Sequence, residues 1–317
     1  MYILHIAHGP PSPPRGNTAR MLDIDVVSCL RMGATGALGA VPGTLCAHPC
    51  DVVKIKMQIG GADSYRRAFK DILAVPNART GRPLGILGFY RGLVPAVEQR
   101  IVARGPMFLI SELYTQIVEN TTGITGTGAR FVGSVGSGYT TGFLAGLAEY
   151  RKKMLSQSVI TAKEASWGSI VKTARNAGHG SSLIRRLHAA GSCSAVYDST
   201  FFSSQYHLQT ERGFSAPSSY GCAAAAAVTV AFVFDTTVAR MMVIAPNKPV
   251  LSFSSHIKEV VWNGAKFVKG DNTVTRCLRG IRVGYRGLSA RVLEFTISYT
   301  VTGALSLVVA AYFASKD

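Results

Sequence analysis

The chain has 317 residues with 34 Lys and Arg against 17 Asp and Glu, a net charge of +17, yet only 16% of it is charged and its mean hydropathy is +0.21. So much excess base suits nucleic acid or an anionic lipid surface. A nucleic-acid protein, however, has no reason to alternate its basic residues with apolar runs of membrane length, so no nucleic-acid partner is expected. The six cysteines form no CxxC pair and no metal spacing with His, and no Ser/His/Asp, Cys/His or phosphate-loop arrangement marks an enzyme.

Residues 1–22 form a Pro-rich arm. Pro10 to Pro14 break any signal or targeting helix, which leaves a polar segment that is flexible or held by a partner. Residues 32–50 carry no charge and place Gly39 and Gly43 in a GxxxG, the small-residue pattern of close membrane-helix contacts. Pro49 predicts a bend near the end of this first span, because it removes a backbone hydrogen bond. The second candidate, 93–120, contains Glu98, Arg100, Arg104 and Glu112. Charge inside a span is expected only where the helix faces a polar interior or another protein. Residues 131–148 are again uncharged, 187–209 carry Asp198, and 213–234 and 295–315 are uncharged. Each stretch is close to the roughly 20 residues a helix needs to cross a bilayer, which predicts six transmembrane helices.

The charge collects between alternate spans. From Lys54 to Arg104 there are 10 basic residues, from Arg151 to Arg186 there are 8, and from Arg240 to Arg291 another 10, whereas the opposite links carry only Arg130 and Arg212. This positive-inside pattern, repeated three times, puts the long connections on one face and both termini on the other.

The same order also repeats three times: Gly/Ala-rich helix, acid then base, short amphipathic segment, basic turn, second helix. The first unit reads HPCDVVKIKMQ, YRRAFKDILAV, GFYRGLVP; the third reads VFDTTVARMMV, SFSSHIKEVVWNGAKFV, VGYRGLSAR. The middle unit is the most worn, with LAEYRKKMLSQ, WGSIVKTARNAG and SLIRRLHAA. The units are 23–122, 123–212 and 213–317. The expected fold is an all-α membrane protein of six transmembrane helices in three tandem two-helix repeats, with short amphipathic helices on the basic face.

Pro49, Asp51, Lys54 and Lys56, followed by Tyr90-Arg91-Gly92, Pro95, Phe108 and Glu112, resemble the mitochondrial carrier family signature. The resemblance is closest in the first repeat and covers nearly the whole chain. It implies a multi-pass protein of the mitochondrial inner membrane, three-fold pseudosymmetry around a central cavity, short helices in the matrix and both termini in the intermembrane space. It also implies two rings of ion pairs that close the cavity in turn. For the matrix ring it pairs Asp51 with Lys152, which follows Glu149 in the second repeat, and Asp235 with Lys54. The third pair fails, because Val238 stands where a base is needed, and Leu147 and Val233 replace two motif prolines. In the opposite ring only Glu112 fits. Its expected companion position is Thr115, the other acidic positions read Tyr206 and Leu307, and no complete pair is found.

Cavity contact positions implied by the family fall at Gln99 with Arg100 beside it, at Cys193 and at Glu294, with Arg104 and Asp198 a turn deeper. Arg100 and Arg104 favour an anionic solute, whereas Glu294 argues against one. Arg91-Gly92 and Arg286-Gly287 match the positions that the family uses for cardiolipin, so structural cardiolipin is expected and no other cofactor or metal. Motifs that fold the chain are kept while the gates are eroded. The expected role is therefore an accessory subunit of a larger inner-membrane respiratory complex, with a working carrier of a small, anionic metabolite as the alternative.

Overall fold

The computed structural model describes residues 24–58, 64–76, 81–156, 166–259, 285 and 287–314. The arm 1–22 and Arg286 lie outside them. Six long helices dominate: α1 (Val26–Gln58), α3 (Leu93–Thr122), α4 (Gly126–Ser156), α6 (Gly180–Tyr206), α7 (Ala216–Met242) and α9 (Leu288–Ala314). Three short ones stand between the members of each pair: α2 (Tyr65–Leu73), α5 (Trp167–Asn176) and α8 (Phe253–Lys258). No strand forms among the described residues, only an isolated bridge between Pro76 and Pro83. Each long helix packs on the next in chain order and α9 returns to α1, so the six close into a barrel.

The barrel is inside-out relative to a water-soluble protein. Lys54, Arg104, Asp198 and Glu294 are 0–2% exposed, whereas Leu38, Leu144 and Val308 are 59–68% exposed. Charge in the interior and large aliphatic side chains outside suit a protein whose surroundings are lipid and whose centre is polar. Only α7 and α9 are apolar enough to pass as spans by composition. The other four are diluted by Gly, Ser and Thr at helix contacts and by the inward charges, which hydropathy alone counts against them. Five of the six helices run past the stretches read from the sequence at the end that carries the short helices, where charged residues continue them, while α3 begins at Leu93 as expected. α1 continues without a break through both Pro42 and Pro49.

Small residues set the spacing of the barrel walls. A Cβ on Gly39 would lie 2.6 Å from Thr302 Oγ1, and one on Gly43 would lie 2.8 Å from the Ser298 carbonyl, so α1 and α9 touch nearly backbone to backbone. Gly142 does the same for α4 and α6, where a Cβ would meet Ser194 Cβ at 2.5 Å. Gly142→Val should therefore overpack this contact and cost about 1–3 kcal/mol, read as a lower melting temperature of the detergent-solubilised protein.

The short helices share one device. Ser64, Ser166 and Ser252 each sit at the N-cap and accept a hydrogen bond from the backbone N–H three residues on, at 3.2–3.3 Å. These hydroxyls satisfy amides that a helix start leaves unpaired. At the other end of the barrel the links are brief. Gly123, with φ +73°, ends α3 three residues before α4. After α6 a π turn, His207–Glu211, leads to α7. There Thr127 donates to Glu211 and His207 lies 2.6 Å away, which holds the Glu211 carboxyl below its ordinary range.

Candidate solute cavity

Helical spacing brings one stripe of each long helix to the axis of the barrel. On α3 it runs through Ala96, Arg100, Arg104, Phe108, Glu112 and Thr115, and on α9 through Arg291, Phe295, Ser298 and Thr302. These i, i+3 and i+4 steps keep the side chains on one face, so distance along the helix translates into depth in the barrel. Three layers result.

The first layer, at the short-helix end, is a network of charge. Asp51 is bound by Lys152 of α4 at 2.7 Å and by Lys54 of its own helix at 2.8 Å. Asp235 of α7 is bound by Arg291 of α9 at 3.0 Å and by Gln58 of α1 at 2.8 Å. Glu294 receives Arg291 at 2.8 Å, Lys54 at 3.6 Å and Arg100 of α3. Glu149 is bound by Lys153 of its own helix at 3.0 Å. The network thus ties five of the six long helices together across the axis. Paired charges of this kind persist in a low-dielectric site because each has an opposite charge in contact.

Two expectations for this layer change. Asp51–Lys152 is present as expected, but Asp235 does not pair with Lys54; it is bound by Arg291 and Gln58, while Lys54 turns to Asp51 and Glu294. The ring is also not left short of a base by Val238. Arg291, one turn into α9, has the reach to bridge Asp235 and Glu294 and lies 3.9 Å from Asp51 as well. The sequence hint was Arg291 three residues before Glu294, a spacing that puts both on one helix face.

Above the network lies a cavity of about 140 Å³. Gln99, Arg100, Arg104, Cys193 and Asp198 all line it; the sixth expected contact, Glu294, does not. Its carboxylate is turned to Arg100, Arg291 and Lys54, so it does not repel an anion in the cavity, and the argument against an anionic solute is corrected on that point. The lining carries five bases (Arg100, Arg104, Lys152, Lys153, Arg291) and three acids (Glu149, Asp198, Asp235). Phe295 packs against two of the bases, 4.9 Å from the Arg100 guanidinium and 3.9 Å from that of Arg291.

Arg104 differs from the other bases. It is 2% exposed and donates to two hydroxyls, Ser298 Oγ at 2.8 Å and Thr302 Oγ1 at 3.1 Å, with Tyr299 stacked 4.2 Å from the guanidinium. Its Nε has no hydrogen-bond partner, and no carboxylate among the described residues forms an ion pair with it. Gln99 Oε1 and Asp198 Oδ2 are likewise buried without a partner. Polar groups converging unpaired on one cavity suit a site that a solute completes.

The second layer, one turn beyond Arg104, is aromatic. Phe108, Phe201, Phe202, Tyr220 and Tyr299 come from four helices with ring centroids as close as 4.5 Å, and Phe108 and Phe201 are fully buried. Edge-to-face and offset contacts of this kind fill the axis and keep water from the cavity on that side. One further turn along α3 lies the third layer, where Glu112 is bound by Arg130 of α4, with Gln116 and Ser28 also donating to its carboxylate. The expectation of no complete pair at this end is therefore corrected. Thr115 is not the partner; Arg130, read from sequence as a loop base, lies one turn into α4 and crosses to Glu112.

Of the four residues expected to meet lipid, two are glycines at helix starts. Gly92, with φ +79°, starts α3, and Gly287, with φ +83°, starts α9; Arg91 precedes the first, while Arg286 lies outside the described residues. A left-handed residue at a helix start suits glycine, since a Cβ is strained there.

The mitochondrial carrier protein family matches residues 25–121, the segment holding α1, α2 and α3. A curated relative, the succinate/fumarate mitochondrial transporter of Saccharomyces cerevisiae, is 36% identical over 103 residues, which span 30% of this chain and 30% of that protein. The match thus covers under a third of the relative's length. Both findings favour the carrier reading over the accessory-subunit one, for which neither offers support.

Proposed function

We propose that this chain, a member of the mitochondrial carrier family, is a multi-pass transporter of the mitochondrial inner membrane that carries a small carboxylate through its central cavity. The observation that carries this reading is Arg104, a buried guanidinium on the cavity wall whose hydrogen-bond acceptors are only hydroxyls. A guanidinium in low dielectric gains most from a carboxylate, which it can grip with two parallel hydrogen bonds. The cavity is well below the roughly 300 Å³ at which drug-sized sites begin, so a nucleotide is disfavoured and a short mono- or dicarboxylate fits. The relative named for succinate and fumarate points to the same class.

In this reading the charge network is the matrix gate, drawn closed. Entry from the matrix requires Asp51–Lys152 and the Arg291 bridges to part, while entry from the other side requires the aromatic layer and the Glu112–Arg130 pair to open. A bound carboxylate shifts the balance by competing for Arg100 and Arg291, which hold Glu294 in the empty state. Gly92 and Gly287, at equivalent helix starts in the first and third repeats, would each present free amides to the phosphate of a cardiolipin headgroup.

The test is counter-exchange in liposomes by the purified protein, with labelled succinate, phosphate, a nucleotide and an amino acid offered in turn. Saturable exchange of the dicarboxylate is expected. Exchange of the nucleotide alone, or of nothing in the panel, would overturn the proposal.

A further inference from the structure

We propose that Asp198 takes up a proton when the carboxylate binds, so that solute and proton cross together; this rests on the carboxylate reading above. Asp198 lines the cavity at 1% exposure, and its Oδ2 is buried without a hydrogen-bond partner. Every other acid of the barrel axis has a cation in contact: Asp51, Glu149, Asp235, Glu294 and Glu112 are each salt-bridged. Asp198 alone among them forms no ion pair among the described residues.

The surroundings of Asp198 explain the difference. On α4 it meets Gly138, with Thr141 and Gly142 along the same wall, and nearer the short-helix end α4 contributes Glu149, bound to Lys153, and Lys152, bound to Asp51. α7 contributes Val228, Ala231 and Phe232 to the cavity and, nearer the short-helix end, Asp235, already bound to Arg291. α9 contributes Tyr299 and Phe295, with Arg291 held by three acids, and α3 contributes Arg100 and Arg104. On its own helix Cys193, Ser194 and Tyr197 share the cavity wall. His207 and Glu211, in the π turn beyond α6, pair with each other. Lys172 and Arg175 of α5 precede the start of α6, far from Asp198 along the helix, and His256 of α8 pairs with Glu259.

A carboxyl so placed is costly to ionise, since burial of an unpaired charge is opposed by several kcal/mol as an order of magnitude. It ionises while the open cavity holds water and no solute, whereas the closed barrel accommodates it as the neutral acid, and in that form it leaves the cavity three positive charges in excess instead of two. The arriving anion therefore favours the protonated form and the protonated form favours the anion, a coupling that holds in both directions. The step is a simple transfer: a water-borne proton joins the Asp198 carboxylate on the side where solute loads, and returns to water where solute leaves. No bond of the solute changes.

The measurement is net uptake of labelled succinate into proteoliposomes that hold no succinate, with the outside one pH unit more acidic than the inside and the membrane potential clamped at zero by potassium and valinomycin. The wild type should accumulate solute up to about tenfold, the limit for one proton per solute at one pH unit. In Asp198→Asn the ratio of uptake with and without the gradient should fall to one. Where that variant moves too little solute to measure, succinate-dependent thermal stabilisation gives the second readout. It should be larger at acid than at alkaline pH in the wild type and equal at both in Asp198→Asn. Wild-type net uptake that is absent or indifferent to the gradient would overturn this inference and leave the carboxylate reading standing, whereas absence of any carboxylate exchange overturns both. Asp198→Asn with undiminished pH dependence in either readout also overturns it.

Discussion

Arg104→Ala should lower carboxylate exchange by about two to three orders of magnitude while the melting temperature of the purified protein changes little. Truncating one member of a buried, hydrogen-bonded charge pair costs roughly 2–5 kcal/mol of binding, and here the pair forms only when solute is present. The empty fold loses less. Thr302 Oγ1 keeps its bond to the Ser298 carbonyl at 3.0 Å, so the hydroxyls that Arg104 leaves behind are not all orphaned. The check is an exchange rate alongside a thermal unfolding curve on the same preparation. A variant that melts much earlier would assign Arg104 to folding, and one that exchanges like the wild type would remove it from the site.

The second large effect belongs to Arg291→Ala, and it is structural. Arg291 alone contacts Asp51, Asp235 and Glu294, so its loss leaves Asp235 hydrogen-bonded to Gln58 with no ion pair among the described residues and thins the neutralisation of Glu294. Breaking one side of a buried ion pair costs about 3–5 kcal/mol, because the surviving charge stays in low dielectric. The detergent-solubilised variant should unfold several degrees below the wild type. Glu294→Gln should be milder, since Lys54 still holds Asp51 and Arg291 still holds Asp235. If the two variants melted alike, the bridging role of Arg291 would be refuted.

The fold was the most legible part of the chain. Uncharged stretches, three blocks of base and the paired GFYRG and GYRG motifs were enough to expect six helices in three repeats, the family resemblance implied a central cavity, and the six helices close into a barrel in chain order. What the pattern could not give was the reach of individual side chains. Arg291 and Arg130 were counted as loop bases because the uncharged stretches 131–148 and 295–315 begin after them, but α4 and α9 start earlier and carry both inward. Glu294 was read by its type as a bar to anions, whereas its three cationic neighbours come from α1, α3 and α9 and are close only in space. The unpaired states of Arg104 and Asp198 were equally out of reach, since lacking a partner is a property of the packed barrel and of no local spacing. The Ser caps of α2, α5 and α8 could have been found: a serine stands directly before each amphipathic segment, the ordinary signature of a helix start.

Erosion of sequence motifs had weighed toward an accessory subunit. In the barrel the network closes with substituted partners, Arg291 for the missing base near Val238 and Arg130 for the one absent at Thr115. A ring of ion pairs defined by contact therefore survives where one defined by motif does not.

The central claim is that this cavity opens and closes around a solute, and Cys193, on its wall, reports that directly. The measurement is labelling of Cys193 by a charged, membrane-impermeant thiol reagent in proteoliposomes, with the other five cysteines replaced by serine. Labelling should be slow without solute, accelerate during succinate exchange, and stop transport once complete. Cys193 that stays unlabelled with and without succinate, in protein that is folded and inserted, would contradict the account.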